Sequence, residues 1–136
     1  MNKNIFKSIG AVFAGLIFIF ITHTVTDAIL ENAGILPKGN LFVSTELILA
    51  VTAYRAVFSL LGCYITAMFA PQNPMKHSIV LGIIGTALSI VGAIVNMNMH
   101  MGPNWYAWTL AVISLPIAWL AGILYEIRLH RKNNKT

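Results

Sequence analysis

Four stretches of this chain are long, apolar and almost free of charge, and they limit the fold more than any other feature. They run from about Ser8 to Leu30, Leu47 to Ala70, Ser78 to Asn96 and Trp105 to Ile127. A hydrocarbon core of about 30 Å takes around 20 apolar helical residues to cross. Inside lipid, every backbone N–H and C=O must find a partner within the chain, which a helix provides. The four stretches therefore predict four membrane-spanning helices in one domain covering residues 1–136. Composition agrees. Hydrophobic residues make up 57% of the chain and charged residues 10%, against roughly 25% charged in a soluble domain. Too little polar surface is left to cover a water-soluble globule. A soluble enzyme, a nucleic-acid-binding domain, a disordered tail and a disulfide scaffold are all poor fits, and Cys63 is the only cysteine.

The breaks between spans have local causes. Asn32-Ala33-Gly34, then Pro37 and Gly39-Asn40, end the first helix. Ser44 is placed to cap the second, with Glu46 in its first turn, where an acid suits the helix dipole. Pro71 and Pro74 are expected to stop the second helix and leave a short turn. Gly102-Pro103-Asn104 separates the third span from the fourth, and Pro116 predicts a kink inside the fourth. The first apolar run is too long for a signal peptide, and no A-x-A-like site follows it, so it is read as a span.

The net charge of +5 sits in the flanks of the spans rather than on a nucleic-acid face. With four spans, the N-terminus, the middle loop and the C-terminus share a side. They carry Lys3, Lys7, Lys76, Arg128, Arg131, Lys132 and Lys135, while the opposite side carries Lys38. Positive residues mark the cytoplasmic side, so both termini are expected there, in a bacterial inner membrane. Trp105, Tyr106 and Trp108 then form an outer aromatic belt, with Tyr125 at the inner surface.

Apolar helices in lipid associate where small residues let backbones approach. Ser78, Gly82, Gly85, Ser89 and Gly92 recur at steps of 4, 3, 4 and 3 in the third span. Thr52, Ala56, Ser59, Cys63, Thr66 and Ala70 repeat the pattern in the second, and Ala107, Ala111, Ser114, Ala118 and Ala121 in the fourth. Ser8, Ala11 and Gly15 form a shorter seam in the first. The seams predict an all-α, left-handed four-transmembrane-helix bundle, with Cys63 as a small packing residue.

Ionisable groups within a span are costly and mark candidate sites. Arg55 lies about 12 Å inside the outer end of the second span, and Asp27 about 4–5 Å inside that of the first. Helical side chains lean toward their own N-terminus, so Arg55 leans outward and Asp27 inward, and an ion pair is expected. His23 is one turn from Asp27 on the same face. The cluster His23, Asp27 and Arg55 reads either as a structural pair that fixes helix register or as a polar site open to the outer face for an anion or a proton. A second candidate is Met97, Met99, His100 and Met101, whose thioethers and imidazole are soft donors suited to Cu(I); the competing reading is interfacial packing by flexible side chains. No HExxH, GxSxG, P-loop or CxxC pattern is present, so no enzymatic role and no cofactor are expected.

The runs Ala53-Tyr54-Arg55, Gly62-Cys63-Tyr64-Ile65-Thr66-Ala67, Ala70-Pro71 and Pro74-Met75-Lys76-His77, with Gly102-Pro103-Asn104-Trp105-Tyr106, Leu115-Pro116, Ala118-Trp119 and Gly122, resemble a group of small bacterial inner-membrane proteins with four spans. The resemblance covers most of the chain. It implies the four-span layout and no activity. Small multidrug exporters need an acid in the middle of the first span, and Val12 to Ile21 has none. Fluoride-channel motifs are not visible, and the seven-to-one charge bias argues against insertion in both orientations. Beyond the lipid bilayer, the expected partners are further copies of the chain or a larger membrane complex, with no nucleic acid. The leading functional expectation is an accessory or scaffold subunit. The alternative is a small-solute or proton-coupled transporter built on His23, Asp27 and Arg55. The third is periplasmic-side Cu(I) binding.

Overall fold

The computed structural model of the chain describes residues 2–135. They form four helices: α1 (Lys3–Asn32), α2 (Thr45–Phe69), α3 (Pro74–Met99) and α4 (Asn104–Asn133). Each is long and apolar enough to cross a membrane. With 30, 25, 26 and 30 residues and a rise of about 1.5 Å per residue, all four exceed the span of a hydrocarbon core.

The helix ends follow from local chemistry. Gly34 takes φ +75, a left-handed conformation that glycine adopts without steric penalty. The chain then folds back: the Gly34 N–H reaches the Glu31 carbonyl at 3.2 Å and the Ile35 N–H reaches that of Leu30 at 3.0 Å, the paired bonds of a Schellman motif. Ser44 caps α2 by accepting from the Leu47 N–H at 3.4 Å. The two prolines of the middle turn act differently from the expectation that both stop α2. Pro71 holds Ala70 in extended backbone, because a residue before proline avoids the α region. Pro74 opens α3 at its first position, where its missing N–H costs nothing. Pro116 lies inside α4 without ending it.

Packing inverts the arrangement of a soluble bundle. The buried residues are mostly small: Ala11, Cys63, Thr66, Ala67, Ser78, Ala93, Ala107, Ala111, Ala118 and Ala121. Large side chains such as Phe20 and Val112 face outward, 68% and 71% exposed. Lipid tails solvate those side chains as well as protein would, so the helices gain by close backbone approach instead. At the α1–α2 crossing, Gly15 and Gly62 stand against each other's backbones, and Thr66 Oγ1 donates to the Ala11 carbonyl at 3.0 Å. At the α3–α4 crossing, Ser78 Oγ donates to the Ala118 carbonyl at 2.6 Å and Ser114 Oγ to that of Gly82 at 3.3 Å. Interhelical bonds of this kind contribute about 0.6 kcal/mol each.

The four helices do not form a closed square. The α3–α4 interface is the most extensive, and α1–α2 and α2–α4 follow. Among the described residues α1 and α4 do not meet, and α1 and α3 touch only slightly, at the level of Gly15 and Leu81. The seams expected along whole spans therefore pack only in part. Ser78, Gly82 and Gly85 meet α4, whereas a Cβ on Gly92 would meet nothing within 4 Å.

The aromatic belt also differs from expectation. Trp105 and Trp108 point outward, but Tyr106 is 5% exposed. It packs in a cluster with Leu36, Ile48 and Val51 under the α1–α2 loop. It lies one turn before Leu110, which packs on the same cluster, so helical register turns it inward.

These crossings make a testable contrast between two glycines of α3. A Cβ at Gly82 would overlap that of Ala118, so Gly82→Val is expected to destabilise the bundle by about 1–3 kcal/mol through overpacking. Gly92→Ala meets no neighbour and is expected to leave stability within about 1 kcal/mol of the parent or raise it, since alanine is the better helix former. Equilibrium unfolding of the purified protein in mixed detergent micelles, followed by circular dichroism, measures both.

Candidate functional site

The loop end of the bundle, where α1 joins α2 and α3 joins α4, brings together the three ionisable residues singled out in the spans. Asp27 and Arg55 form an ion pair. They retain 28% and 24% side-chain exposure, so the pair is lodged at the edge of the packed region rather than sealed within it. The hydroxyl of Tyr54 donates to the other carboxylate oxygen of Asp27. His23 Nε2 donates to the Arg55 backbone carbonyl at 3.2 Å, which sets the protonated ring nitrogen. Its ring and that of Tyr54 both lie near Phe58, with centroids 6.3 and 6.1 Å away. The helical rise explains the meeting. The backbone of Arg55 stands level with His23, one turn deeper than Asp27, and its long side chain, leaning toward the N-terminus of α2, reaches up to the carboxylate.

Two participants were not recognised in the sequence. Tyr54 precedes Arg55 directly, and neighbours on a helix point about 100° apart. It reaches Asp27 because that carboxylate lies between the two. The available signal was a second polar side chain beside the arginine in an apolar span. Tyr106 is the other. Its Oη, like Arg55 Nε, is buried with no hydrogen-bond partner among the described residues.

The cluster lies on the wall of a cavity of about 650 Å³. This volume falls within the range of small-molecule sites, roughly 300–1,000 Å³. The cavity occupies the space where α1 and α3 diverge above their contact near Leu81. On α1 it is lined from Leu16 to Glu31 and on α3 from Leu81 to Asn96, in each case a length of about 22 Å. The α1–α2 loop, through Leu36 to Leu41, borders its loop end. That loop is fastened across the bundle by the Leu41 N–H, which donates to the Met101 carbonyl at 2.6 Å. Asn96 secures the same end by donating to the Gly102 carbonyl at 3.1 Å. Ala56, Ser59, Cys63, Ser89 and Gly92, all members of the small-residue seams, face the cavity. Small side chains make close packing where helices meet and leave space where they part.

The methionine-rich segment spans the end of α3 and the loop that follows it. Met97 and Met99 belong to α3, and positions two apart on a helix leave it about 200° apart. His100 ends the helix in a left-handed conformation at φ 51. Of these four residues only Met101 lines the cavity. Among the described residues, no group of three or more His, Cys, Asp or Glu is positioned to hold a metal ion.

Removing the charge of Asp27 tests the pair. Asp27→Asn is expected to lower stability by about 2 kcal/mol, below the ~3–5 kcal/mol of a fully buried broken pair, because both side chains keep about a quarter of their exposure. Tyr54→Phe removes one donor and is expected to cost about 1 kcal/mol. Unfolding in detergent micelles reads both, and an unchanged transition for Asp27→Asn would mean that the pair does not hold α1 to α2.

No protein-family model, curated protein or solved structure matches this chain.

Proposed function

We propose that this protein is a small multi-pass protein of a bacterial inner membrane, a left-handed bundle with both termini cytoplasmic, that binds a small solute in the cavity between α1 and α3 and moves it or senses it there. The observation that carries the reading is the position of the ion pair. A charge within a span must be compensated, and a purely structural pair does so best when neighbouring helices close around it. Here Asp27, Arg55 and His23 instead border about 650 Å³ of space. Maintaining that space forgoes helix contacts along half the length of α1 and α3, in a fold whose association depends on such contacts. No catalytic constellation accompanies the cluster, so binding and translocation fit it better than bond chemistry.

The sidedness rests on charge. The helix order carries Lys3, Lys7, Lys76 and the basic tail from Arg128 onward to the same end of the bundle. This end meets the rule for a cytoplasmic face, which directs the cavity toward the periplasmic half. An accessory role in a larger assembly is the competing reading. It is supported by α1, which buries only Ala11 and Gly15 and leaves most of its surface free for lipid or a partner.

Cysteine accessibility tests the proposal. In a Cys63→Ala background, Ser59→Cys sets a thiol on the cavity wall one turn below Arg55. A membrane-impermeant thiol reagent added to intact cells is expected to modify it at least tenfold faster than a cysteine at Ala67, which is fully buried. Equal, negligible rates would remove the outward-facing cavity. Reporter fusions at either terminus that register in the periplasm would reverse the sidedness.

A further inference from the structure

The cavity changes character along its length. Its ionisable side chains, His23, Asp27, Glu31 and Arg55, lie in the loop half among apolar neighbours such as Leu36, Leu41 and Leu110, whereas the deeper half has none and is mostly apolar, with Ser59 and Ser114 as exceptions. The gradient runs parallel to the helices, so a molecule lying along it would have one polar and one apolar end. The shape points the same way. The cavity extends over about 22 Å of helix, long enough along the bundle axis for one extended chain. The side of the slot is formed by helices that barely touch, α1 and α3, and by Ser89 and Gly92, whose small side chains leave the wall low.

The polar end has a charge pattern of its own. Both carboxylate oxygens of Asp27 are taken, by Tyr54 and Arg55. Arg55 gives one nitrogen to that pair, its Nε is buried, and about a quarter of the side chain stays exposed. Glu31, one turn beyond Asp27 on the same face of α1, also borders the cavity and has no side-chain partner among the described residues. The site thus offers the exposed edge of a cation whose charge Asp27 shares and, about 6 Å further along α1, an anion with unused acceptors. A head that is only anionic leaves Glu31 facing it, and one that is only cationic leaves Arg55 facing it.

Resting on the cavity reading above, we propose that the ligand is a single-chain zwitterionic amphiphile. Its anionic group lies at Arg55, its ammonium at Glu31, and its chain runs down between α1 and α3 toward Leu81. The molecule would lie as a lipid lies in the outer leaflet, head at the interface and chain toward the bilayer centre. It would reach the slot sideways from the bilayer, past Gly92 and Ser89.

Native mass spectrometry of the purified protein in non-ionic detergent tests this with four probes. They are a lysophosphatidylethanolamine, a fatty acid and an alkyltrimethylammonium of the same chain length, and glycine betaine as the head without a chain. The zwitterionic lipid is expected to bind one to one and at least tenfold more tightly than either singly charged amphiphile, with betaine at least a hundredfold weaker. Glu31→Gln is expected to shrink the preference over the fatty acid to less than threefold. Gly92→Leu and Ser89→Leu are expected to cut binding of the lipid at least tenfold while the unfolding transition stays in place, since Gly92 has no neighbour to displace. Equal binding of all three charged amphiphiles overturns the zwitterionic head and leaves the cavity reading intact. Betaine binding as tightly as the lipid overturns the chain and the sideways route. No binding by any probe, or binding indifferent to both leucine variants, overturns the cavity reading itself.

Discussion

Close approach between helix backbones is the constraint on which the structure depends. In water a bundle is held by hiding large apolar side chains. In lipid that gain vanishes, and what remains is packing, a few hydrogen bonds and the absence of anything bulky at the crossing points. The chain meets this with Gly15 against Gly62, with Gly82 against Ala118, and with hydroxyls of Ser78 and Thr66 that bond to carbonyls on the facing helix. Those carbonyls already serve their own helices, so the hydroxyls add a contact without taking one away. The large residues stay outside, where their size does not matter to association.

The same constraint explains the cavity. A helix that carries small residues along its whole inner face can either meet a neighbour there or leave space. Which occurs is set by the crossing geometry, not by the residues. Near the termini the small residues are used for contact. Toward the loops, α1 and α3 separate, and Ser59, Ser89 and Gly92 border open volume instead. The ion pair then does two things. It ties the far end of α1 to α2, and it supplies the charge that the cavity presents.

The four-helix layout was legible because it follows from hydrophobic length and from turn chemistry that acts locally: Gly34, Ser44 and the Gly102-Pro103 break all behave as their types suggest. The meeting of Asp27, Arg55 and His23 was also readable, since the rise per residue sets their depths and the lean of helical side chains toward the N-terminus closes the gap between Arg55 and Asp27. Other features depend on tertiary geometry and left no such trace. Pro74 looks like a second stop signal when it is the start of a helix, because the reading turns on where Asn73 places the chain. Tyr106 has the composition of an interfacial residue, and only the fold of the α1–α2 loop over α4 buries it. The cavity could not be read at all. A seam of small residues has the same spacing whether it is packed or empty.

The pairing of helices has a mechanical consequence. α1 is latched to α2 at two heights, by the glycine crossing and by the ion pair, while α3 is zipped to α4 along its first half. The molecule is therefore laid out as a book of two leaves, with α2 against α4 and, less extensively, α3 as the spine, and the Leu41–Met101 bond as a clasp at one edge. A small turn about that spine widens or narrows the gap between the free edges of the leaves. It leaves the bonds inside each leaf whole, and the contacts of α3 with α2 and of Leu81 with Gly15 hold the inner end of the gap shut.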